Sequence, residues 1–295
     1  MSDRGIDLMI GICFFSGTKM SIKKVSLVFS CLLGLTLCFH SFAEESHLQT
    51  IKDYEEFKVA VKNDIRFLSM QDERSGEYKG LEPTIANMIA KEIGEDVEVT
   101  FITITSSNRE SILDSGYADC MIGTYTISDD RKLRYDISAP YYESNVTLLV
   151  NRNSKLDSVA DLIGKKVGII KNSNSAKELV KYMISKGLID DAQFDEWSFK
   201  PELWTDKIAF ECYESNQAVL EAMERNHVQA FCCDKVILSS FTDDKLKLLS
   251  EEFAPQRYGV ATRQGSDLSP FIDALIRKWH DDGTLERLIS ENLGK

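Results

Sequence analysis

Short apolar runs alternate with amphipathic segments along most of this chain. The runs have the length of strands and lie at 97–104, 118–123, 147–150, 166–170, 208–213 and 228–233. Helical periodicity lies around them at 84–93, 109–115, 176–185, 216–225 and 270–291. Such alternation predicts largely parallel sheets with helices on both faces. We therefore expect an α/β protein of two lobes, each a sheet flanked by helices, joined by extended crossings.

The first 43 residues have the pattern of a secretory signal peptide. Lys23 and Lys24 precede an apolar run over 25–39, and residues 41–43 (Ser-Phe-Ala) offer a cleavage site. A basic segment, a short apolar run and a small-x-Ala site are typical of such signals. The run is too short to predict a membrane span. We expect a periplasmic product, with a lipid-anchored one as the less favoured alternative and Met20 as an alternative start.

The charge of the chain bears on its partners. Residues 1–43 hold four basic and two acidic side chains, so the net charge of −12 becomes −14 without them. A surface that acidic repels polyanions, and we expect no nucleic-acid partner. The four histidines are scattered, and His, Cys and carboxylate residues show no metal-ligand spacing. The sequence therefore predicts neither a metal nor a cofactor.

Two arginines flank a short polar segment that follows an apolar run. Arg109 and Arg131 lie on either side of Gly-Thr-Tyr-Thr at 123–126, which comes at the end of the strand predicted at 118–123. A guanidinium can hold a carboxylate through two parallel charge-assisted hydrogen bonds, which an ammonium cannot do. Two guanidiniums and small hydroxyl residues at a strand end indicate a site for a small carboxylate.

Five blocks of sequence resemble a known family. Residues 126–131 (TISDDR) and 138–142 (SAPYY) are similar to the T-I-T-x-x-R and F-S-x-P-Y-Y motifs of periplasmic amino-acid-binding proteins. Residues 158–168, 234–238 and 253–259 add further likeness in the same order. These relatives are the family 3 extracellular solute-binding proteins, which feed ABC importers. The likeness is strongest to aspartate- and glutamate-binding members.

The resemblance implies a domain organisation and partners. Lobe 1 is expected at 47–147 and 255–295, and lobe 2 at 148–254. The crossings would lie at 144–152 and 253–259. The implied protein is a monomer that binds a small amino acid and then docks on the permease of an ABC transporter.

The resemblance also assigns the site that holds the α-carboxylate of the ligand. Arg131 matches the carboxylate-binding arginine of the family, and Thr126 would add its amide and hydroxyl. From lobe 2, Ser173 and Asn174 precede a predicted helix, whose start favours an anion. Ser175 is expected to cap that helix.

The ligand's ammonium is expected at Asp234, which follows the run 228–233. It matches the ammonium-binding aspartate of the family. A side chain at the carboxyl end of a parallel strand points into the crevice where α/β sheets bind ligands. The carbonyl of Gly123 and the hydroxyl of Thr124 would complete this shell.

Selectivity for the ligand's side chain is assigned to Arg109. A buried second arginine is costly without an anion, and an acidic ligand supplies one. We expect aspartate or glutamate first, then glutamine or asparagine. The alternative is that Arg109 pairs with Glu110 or Asp114 on a helix surface. Gln71, in the loop after the first strand, is a further candidate contact.

Other features leave alternatives open. The acidic, Trp-bearing segment 188–204 is either an elaboration of the lobe surface or a contact for the transporter. Four cysteines follow residue 43, and we expect free thiols because the strand of Cys212 should be separated from that of Cys232 and Cys233 by the strand at 166–170. A non-catalytic binding protein is favoured. Alternatives are an enzyme like the periplasmic cyclohexadienyl dehydratases, which share the fold, and a receptor sensor domain.

Overall fold

A computed structural model describes residues 46–294, and the predicted signal peptide lies outside these residues. Two sheets with helices packed on them organise this part of the chain. We call the five-stranded sheet with its helices the first lobe, and the six-stranded sheet with its helices the second lobe. The expected two-lobed α/β architecture is confirmed.

The first lobe is built on a mixed sheet with strand order β5-β1-β6-β14-β7. Its strands β1, β5 and β6 are parallel, and β14 runs antiparallel to β6 and β7. The strands are β1 (Glu56–Val61), β5 (Glu98–Thr103), β6 (Cys120–Met121), β7 (Tyr135–Ile137) and β14 (Ala261–Arg263). Its helices are α1 (His47–Tyr54), α2 (Leu81–Ile93), α3 (Arg109–Asp114), α4 (Asp129–Lys132), α8 (Leu268–Asp281) and α9 (Thr284–Leu293).

The second lobe has strand order β10-β9-β11-β8-β12, with β13 also paired to β8. Strands β9, β10 and β11 are parallel, and the rest are antiparallel to their neighbours. The strands are β8 (Tyr142–Asn151), β9 (Lys166–Ile170), β10 (Ala209–Tyr213), β11 (Ala230–Asp234), β12 (Leu246–Leu248) and β13 (Phe253–Tyr258). Its helices are α5 (Ser175–Ser185), α6 (Asn216–Glu224) and α7 (Lys235–Leu238). A small sheet of β2 (Asp64–Ile65), β3 (Ser69–Gln71) and β4 (Tyr78–Lys79) follows β1 in the chain.

Burial explains why the sequence adopts these elements. Every residue of β11 is buried, since this strand lies between β9 and β8. A strand covered on both faces is apolar along its length instead of alternating. In α2, Leu81, Ile85 and Ile89 are buried at intervals of four residues, so one stripe of the helix faces the core. These patterns place both cores where the hydrophobic runs indicate.

The chain passes between the lobes through β8 and β13. These two strands pair antiparallel, with Tyr142 opposite Tyr258 and Ser144 opposite Gln256. The crossings predicted at 144–152 and 253–259 overlap them. The lobe boundaries predicted after residues 147 and 254 fall inside these strands and remain predictions.

One helix and one strand were predicted with the wrong extent. The helix predicted over 270–291 is two helices, because Gly283 lies between them with φ 77°, a left-handed value that favours glycine. The strand predicted at 118–123 is only Cys120–Met121, and the following residues turn into the cleft. The segment 188–204 forms two single 3₁₀ turns. Its Phe199 contacts Phe210 of β10 edge-to-face, with ring centroids 6.3 Å apart.

The cysteine prediction is confirmed for the described residues. Strand β9 separates β10, which carries Cys212, from β11, which carries Cys232 and Cys233, and all four cysteines at 120, 212, 232 and 233 are free. Among residues 46–294, no helix combines the length and the apolar character that crossing a membrane requires.

Candidate functional site

A cavity of about 490 Å³ lies between the two lobes. It is bordered by the carboxyl ends of the parallel strands β1, β5 and β6 of the first lobe and β9 and β11 of the second. In α/β proteins this edge of the sheet is the usual place for a ligand. Eight of the nine predicted site residues line the cavity: Gln71, Arg109, Thr124, Thr126, Arg131, Ser173, Asn174 and Asp234.

Gly123 is the predicted residue that does not line the cavity. A Cβ at this position would lie 3.1 Å from Cδ1 of Ile104, a residue that does line it. The use of the Gly123 carbonyl by a ligand remains a prediction.

Arg131 is held at the cavity wall by two contacts. It lies in the single-turn helix α4 and is only 6% exposed. Its Nη1 donates to the carbonyl of Thr126 at 2.9 Å, and its guanidinium carbon lies 4.2 Å from the ring centroid of Tyr125. A cation over an aromatic ring is attracted by the ring quadrupole. These contacts orient the guanidinium and leave further N–H groups for a ligand.

Arg109 uses the same aromatic ring but reaches the opposite lobe. Its guanidinium carbon is 4.8 Å from the Tyr125 centroid, and Nη2 donates to the carbonyl of Asn172 at 3.1 Å. Its Nε is buried without a hydrogen-bond partner among the described residues. Burial, with a smaller contribution from Arg131, lowers the pKa of Arg109 to about 9. Arg109 is thus a buried cation without a salt bridge among residues 46–294.

The alternative role for Arg109, a surface pair with Glu110 or Asp114, is wrong. Both carboxylates pair instead with Arg134. Glu110 lies 2.5 Å from its Nη1, and Asp114 lies 3.2 Å from its Nη2. Arg109, at the first position of α3, points away from this exposed cluster and is only 3% exposed.

Asp234 ends β11 and precedes α7, so its side chain lies at the cavity. The hydroxyl of Tyr258 donates to its Oδ2. Burial raises the pKa of Asp234, while the Tyr258 hydrogen bond opposes the shift. Tyr258 belongs to the crossing strand β13, so the anionic side of the site is anchored at the hinge.

The turn before α5 brings the second lobe to the cavity. The Ser173 amide donates to the carbonyl of Ile170, but its buried Oγ has no partner among the described residues. Asn174, and not the expected Ser175, occupies the N-cap position, and its side chain makes no capping bond. A hydroxyl and an amide side chain therefore face the site at the start of a helix, where an anion is favoured.

Gln71 lies at the rim of the cavity. Its Nε2 donates to the carbonyl of Gly76 at 3.1 Å, which ties the side chain to its own loop. Its second N–H and its side-chain oxygen remain available for the predicted contact with a ligand.

Sequence reasoning missed Lys62, which lines the cavity directly after β1. Among residues 46–294 its ammonium forms neither a hydrogen bond nor an ion pair. Burial and the nearby Arg109 lower the pKa of Lys62. Asp234 was identified because it directly follows a predicted strand. The same reasoning applied to residues 56–61 would have identified Lys62.

Side-chain hydrogen bonds connect the lobes across the cavity. Besides Arg109, Ser107 donates to Oε2 of Glu214 at 2.5 Å, and Asn216 Nδ2 donates to Oδ2 of Asp64 at 3.1 Å. These contacts link the two lobes on the side of the cavity that faces α3 and α6.

A larger groove, of about 820 Å³, lies on the second lobe beside α6. No buried polar atom without a partner is found among its lining residues, whereas Arg109 and Ser173 supply two such atoms at the inter-lobe cavity. Buried polar groups without a partner need an explanation, and groups that line a cavity can be satisfied by a bound ligand. The inter-lobe cavity is therefore the candidate site.

Comparisons with known proteins agree with this architecture. Residues 57–295 match the family of bacterial extracellular solute-binding proteins, family 3. The chain is 29% identical over 251 residues to the ABC transporter glutamine-binding protein GlnH of Bacillus subtilis, covering 83% of this chain and 84% of that one. It is 28% identical over 281 residues to the L-cystine-binding protein TcyJ of Escherichia coli K12, covering 93% and 94%. The fold is similar to that of a mutant of ArgBP from T. maritima, with a TM-score of 0.70 at 21% identity over 84% of this chain and 99% of that one.

Proposed function

The chain belongs to the bacterial extracellular solute-binding proteins of family 3, and from this premise we propose that it is the amino-acid-binding component of an ABC importer with an acidic amino acid as ligand. The names of its relatives support an amino acid as ligand and a transporter permease as partner. The choice among amino acids rests on the charges of the cavity.

The observation that carries the proposal is a set of cations at the site that have no salt bridge. Lys62, Arg109 and Arg131 line one cavity, and none forms a salt bridge with a carboxylate of residues 46–294. Two exposed carboxylates of the same lining, Asp64 and Glu214, bond instead to Asn216 and Lys171. Asp234 is the buried carboxylate among the lining residues. An α-amino acid supplies one carboxylate and one ammonium, which suit Arg131 and Asp234. Two cations then remain, and a side-chain carboxylate is the group that compensates them.

The roles follow from position. Arg131 and Thr126 hold the α-carboxylate, with Ser173 and Asn174 closing over it from the second lobe. Asp234, Thr124 and the carbonyl of Gly123 hold the ammonium, while Arg109 and Lys62 bind the side-chain carboxylate. Gln71 closes the rim.

Closure of the lobes about β8 and β13 is the expected response to binding. Hinge closure around a ligand is a common transition in two-lobed proteins. The ligand supplies the carboxylate that Arg109 lacks, and it contacts both lobes only when they are together. It therefore favours the closed state over the open one. A monomer in this closed form would dock on the permease. We place it in the periplasm after loss of residues 1–43, which N-terminal sequencing of the exported protein tests.

Calorimetric titration with L-glutamate and L-glutamine tests the ligand class, because the two differ little in shape but differ in charge. Hydrogen bonds to charged groups contribute about 1.5–3 kcal/mol each, so glutamate should bind roughly 10- to 150-fold more tightly. L-aspartate and L-asparagine form the second matched pair. Equal or weaker binding of both acids than of their amides would contradict the proposal.

The alternative function is an enzyme of the cyclohexadienyl dehydratase kind. It requires an acid or base that reaches a bound substrate. The relatives are named as binding proteins, which favours binding without turnover. Incubation of the purified protein with prephenate or arogenate tests this directly, and formation of product would establish the enzyme instead.

A further inference from the structure

A buried carboxylate fixes the loop that carries much of the candidate site. Thr124 has φ 48°, a left-handed value that is rare for a β-branched residue. Its amide donates to Oε1 of Glu82 at 2.7 Å, and the hydroxyl of Tyr141 donates to the same oxygen at 2.6 Å. Thr124 is followed by Tyr125, whose ring lies against both arginines. Glu82 therefore holds the backbone that positions the cationic side of the cavity.

The second oxygen of Glu82 is the unusual feature. The side chain has no exposed surface, and Oε2 has no hydrogen-bond partner among the described residues. An unsatisfied buried carboxylate oxygen is costly, and protonation removes most of that cost. Burial raises the pKa of Glu82 to about 7, against the opposing hydrogen bonds of Tyr141 and Thr124. Near neutral pH the carboxyl therefore exists in both protonation states.

The charged and titratable groups that face Glu82 connect it to the ligand site. Lys62, after β1, lowers its pKa, and Asp64, on the same connection, raises it. Tyr141, before β8, is its hydroxyl neighbour. Arg109, at the start of α3, makes a contribution that lowers the pKa of Lys62 and a contribution that lowers the pKa of Tyr141. A ligand carboxylate near Lys62 would neutralise the cation that favours the ionised form of Glu82.

We propose that Glu82 is a positioning residue that takes up a proton when an anionic ligand binds. This rests on the proposed acidic ligand. The proton comes from hydronium or from the buffer acid, whose bond to that proton breaks as the O–H bond forms on the Glu82 carboxylate. Oε1 can accept the Thr124 amide in both states, so the loop stays in place while the charge changes.

The direction in which affinity changes with pH follows from this proton uptake. Binding raises the pKa of Glu82, so the complex carries more protons than the free protein and affinity falls as the pH rises through 7. Each unit by which binding raises this pKa corresponds to about a tenfold loss of affinity between the protonated and the ionised limits.

The test is calorimetric titration with L-glutamate between pH 6 and 8, repeated at pH 7 in phosphate and in Tris. The two buffers differ in ionisation enthalpy. The difference between the binding enthalpies measured in them therefore gives the number of protons that the protein takes up on binding. The wild-type protein should take up a fraction of one proton and lose affinity as the pH rises. Glu82→Gln, a neutral isostere that keeps the acceptor for Thr124, should show no uptake and a flat profile.

A second variant keeps the carboxyl. Tyr141→Phe removes the hydroxyl that stabilises the ionised form, so the midpoint of the profile should move to higher pH. An unchanged slope in Glu82→Gln would overturn the inference and assign the pH dependence to Lys62. An unmoved midpoint in Tyr141→Phe would overturn it as well. Tight but pH-independent binding of glutamate refutes only this inference, whereas the absence of amino-acid binding at every pH refutes the proposed function.

Discussion

Replacing Arg109 by glutamine should change which ligand binds, and not only how tightly. The guanidinium makes one hydrogen bond to the protein, from Nη2 to the carbonyl of Asn172 at 3.1 Å. Its Nε is buried without a partner. In the proposed complex the remaining donors face the side-chain carboxylate of the ligand.

The loss of binding free energy expected in Arg109→Gln has two parts. Loss of the Asn172 bond weakens closure for every ligand, by about 1 kcal/mol, the usual net value of a hydrogen bond. Loss of the charge affects acidic ligands alone. A charge-assisted hydrogen bond contributes about 2 kcal/mol, so glutamate should lose roughly 30-fold more affinity than glutamine.

Calorimetric titration of wild type, Arg109→Gln and Arg134→Gln with both ligands measures this difference. Arg134 is a matched control on the same lobe, because it is half-exposed and pairs with Glu110 and Asp114 away from the cavity. Its replacement should leave both affinities unchanged. Equal losses for glutamate and glutamine in Arg109→Gln would refute the selectivity role and leave this arginine as a contact between the lobes.

Three further substitutions test the other charges of the cavity by the same titration. Arg131→Ala should abolish measurable binding of any α-amino acid, since removing one partner of a buried charge pair costs about 2–5 kcal/mol; affinity within a few-fold of wild type would contradict its role. Asp234→Asn should weaken all α-amino acids by a similar amount without lowering the melting temperature of the ligand-free protein, because burial raises the pKa of this carboxyl and disfavours its charge; a marked fall in that temperature would assign it a structural role instead. Lys62→Gln should weaken glutamate more than glutamine, and an unchanged ratio would remove Lys62 from the side-chain site.

The fold could be predicted because its central strands are buried on both faces. Strand β11 is an uninterrupted buried run that ends at Asp234, so hydrophobicity located both the strand and the residue that follows it. The break between α8 and α9 was not visible in the hydrophobic pattern, because the apolar stripe continues on both sides of Gly283.

Position after a strand and resemblance to the family placed Asp234 and Arg131 at the candidate site, and both line the cavity. Neither signal reaches Glu82. Glu82 lies in the first turn of α2, where an acidic residue ordinarily interacts with the helix dipole. Nothing in the local sequence indicates that its carboxylate bonds to Thr124, 42 residues later. In the same way Glu110 is adjacent to Arg109 in sequence but pairs with Arg134, 24 residues away. Long-range partners of charged residues follow from the packing of elements, which periodicity does not encode.

Thermal unfolding of the protein with each of the twenty amino acids tests most directly whether the cavity between the lobes binds a free zwitterion. A ligand at a hundred times its dissociation constant stabilises the folded state by about 2.7 kcal/mol, which raises the melting temperature by roughly 5–10 °C in a chain of this size. Aspartate or glutamate should give the largest rise, and the rise should vanish in Arg131→Ala. An unchanged melting temperature with all twenty, or the same rise in Arg131→Ala, would contradict the account.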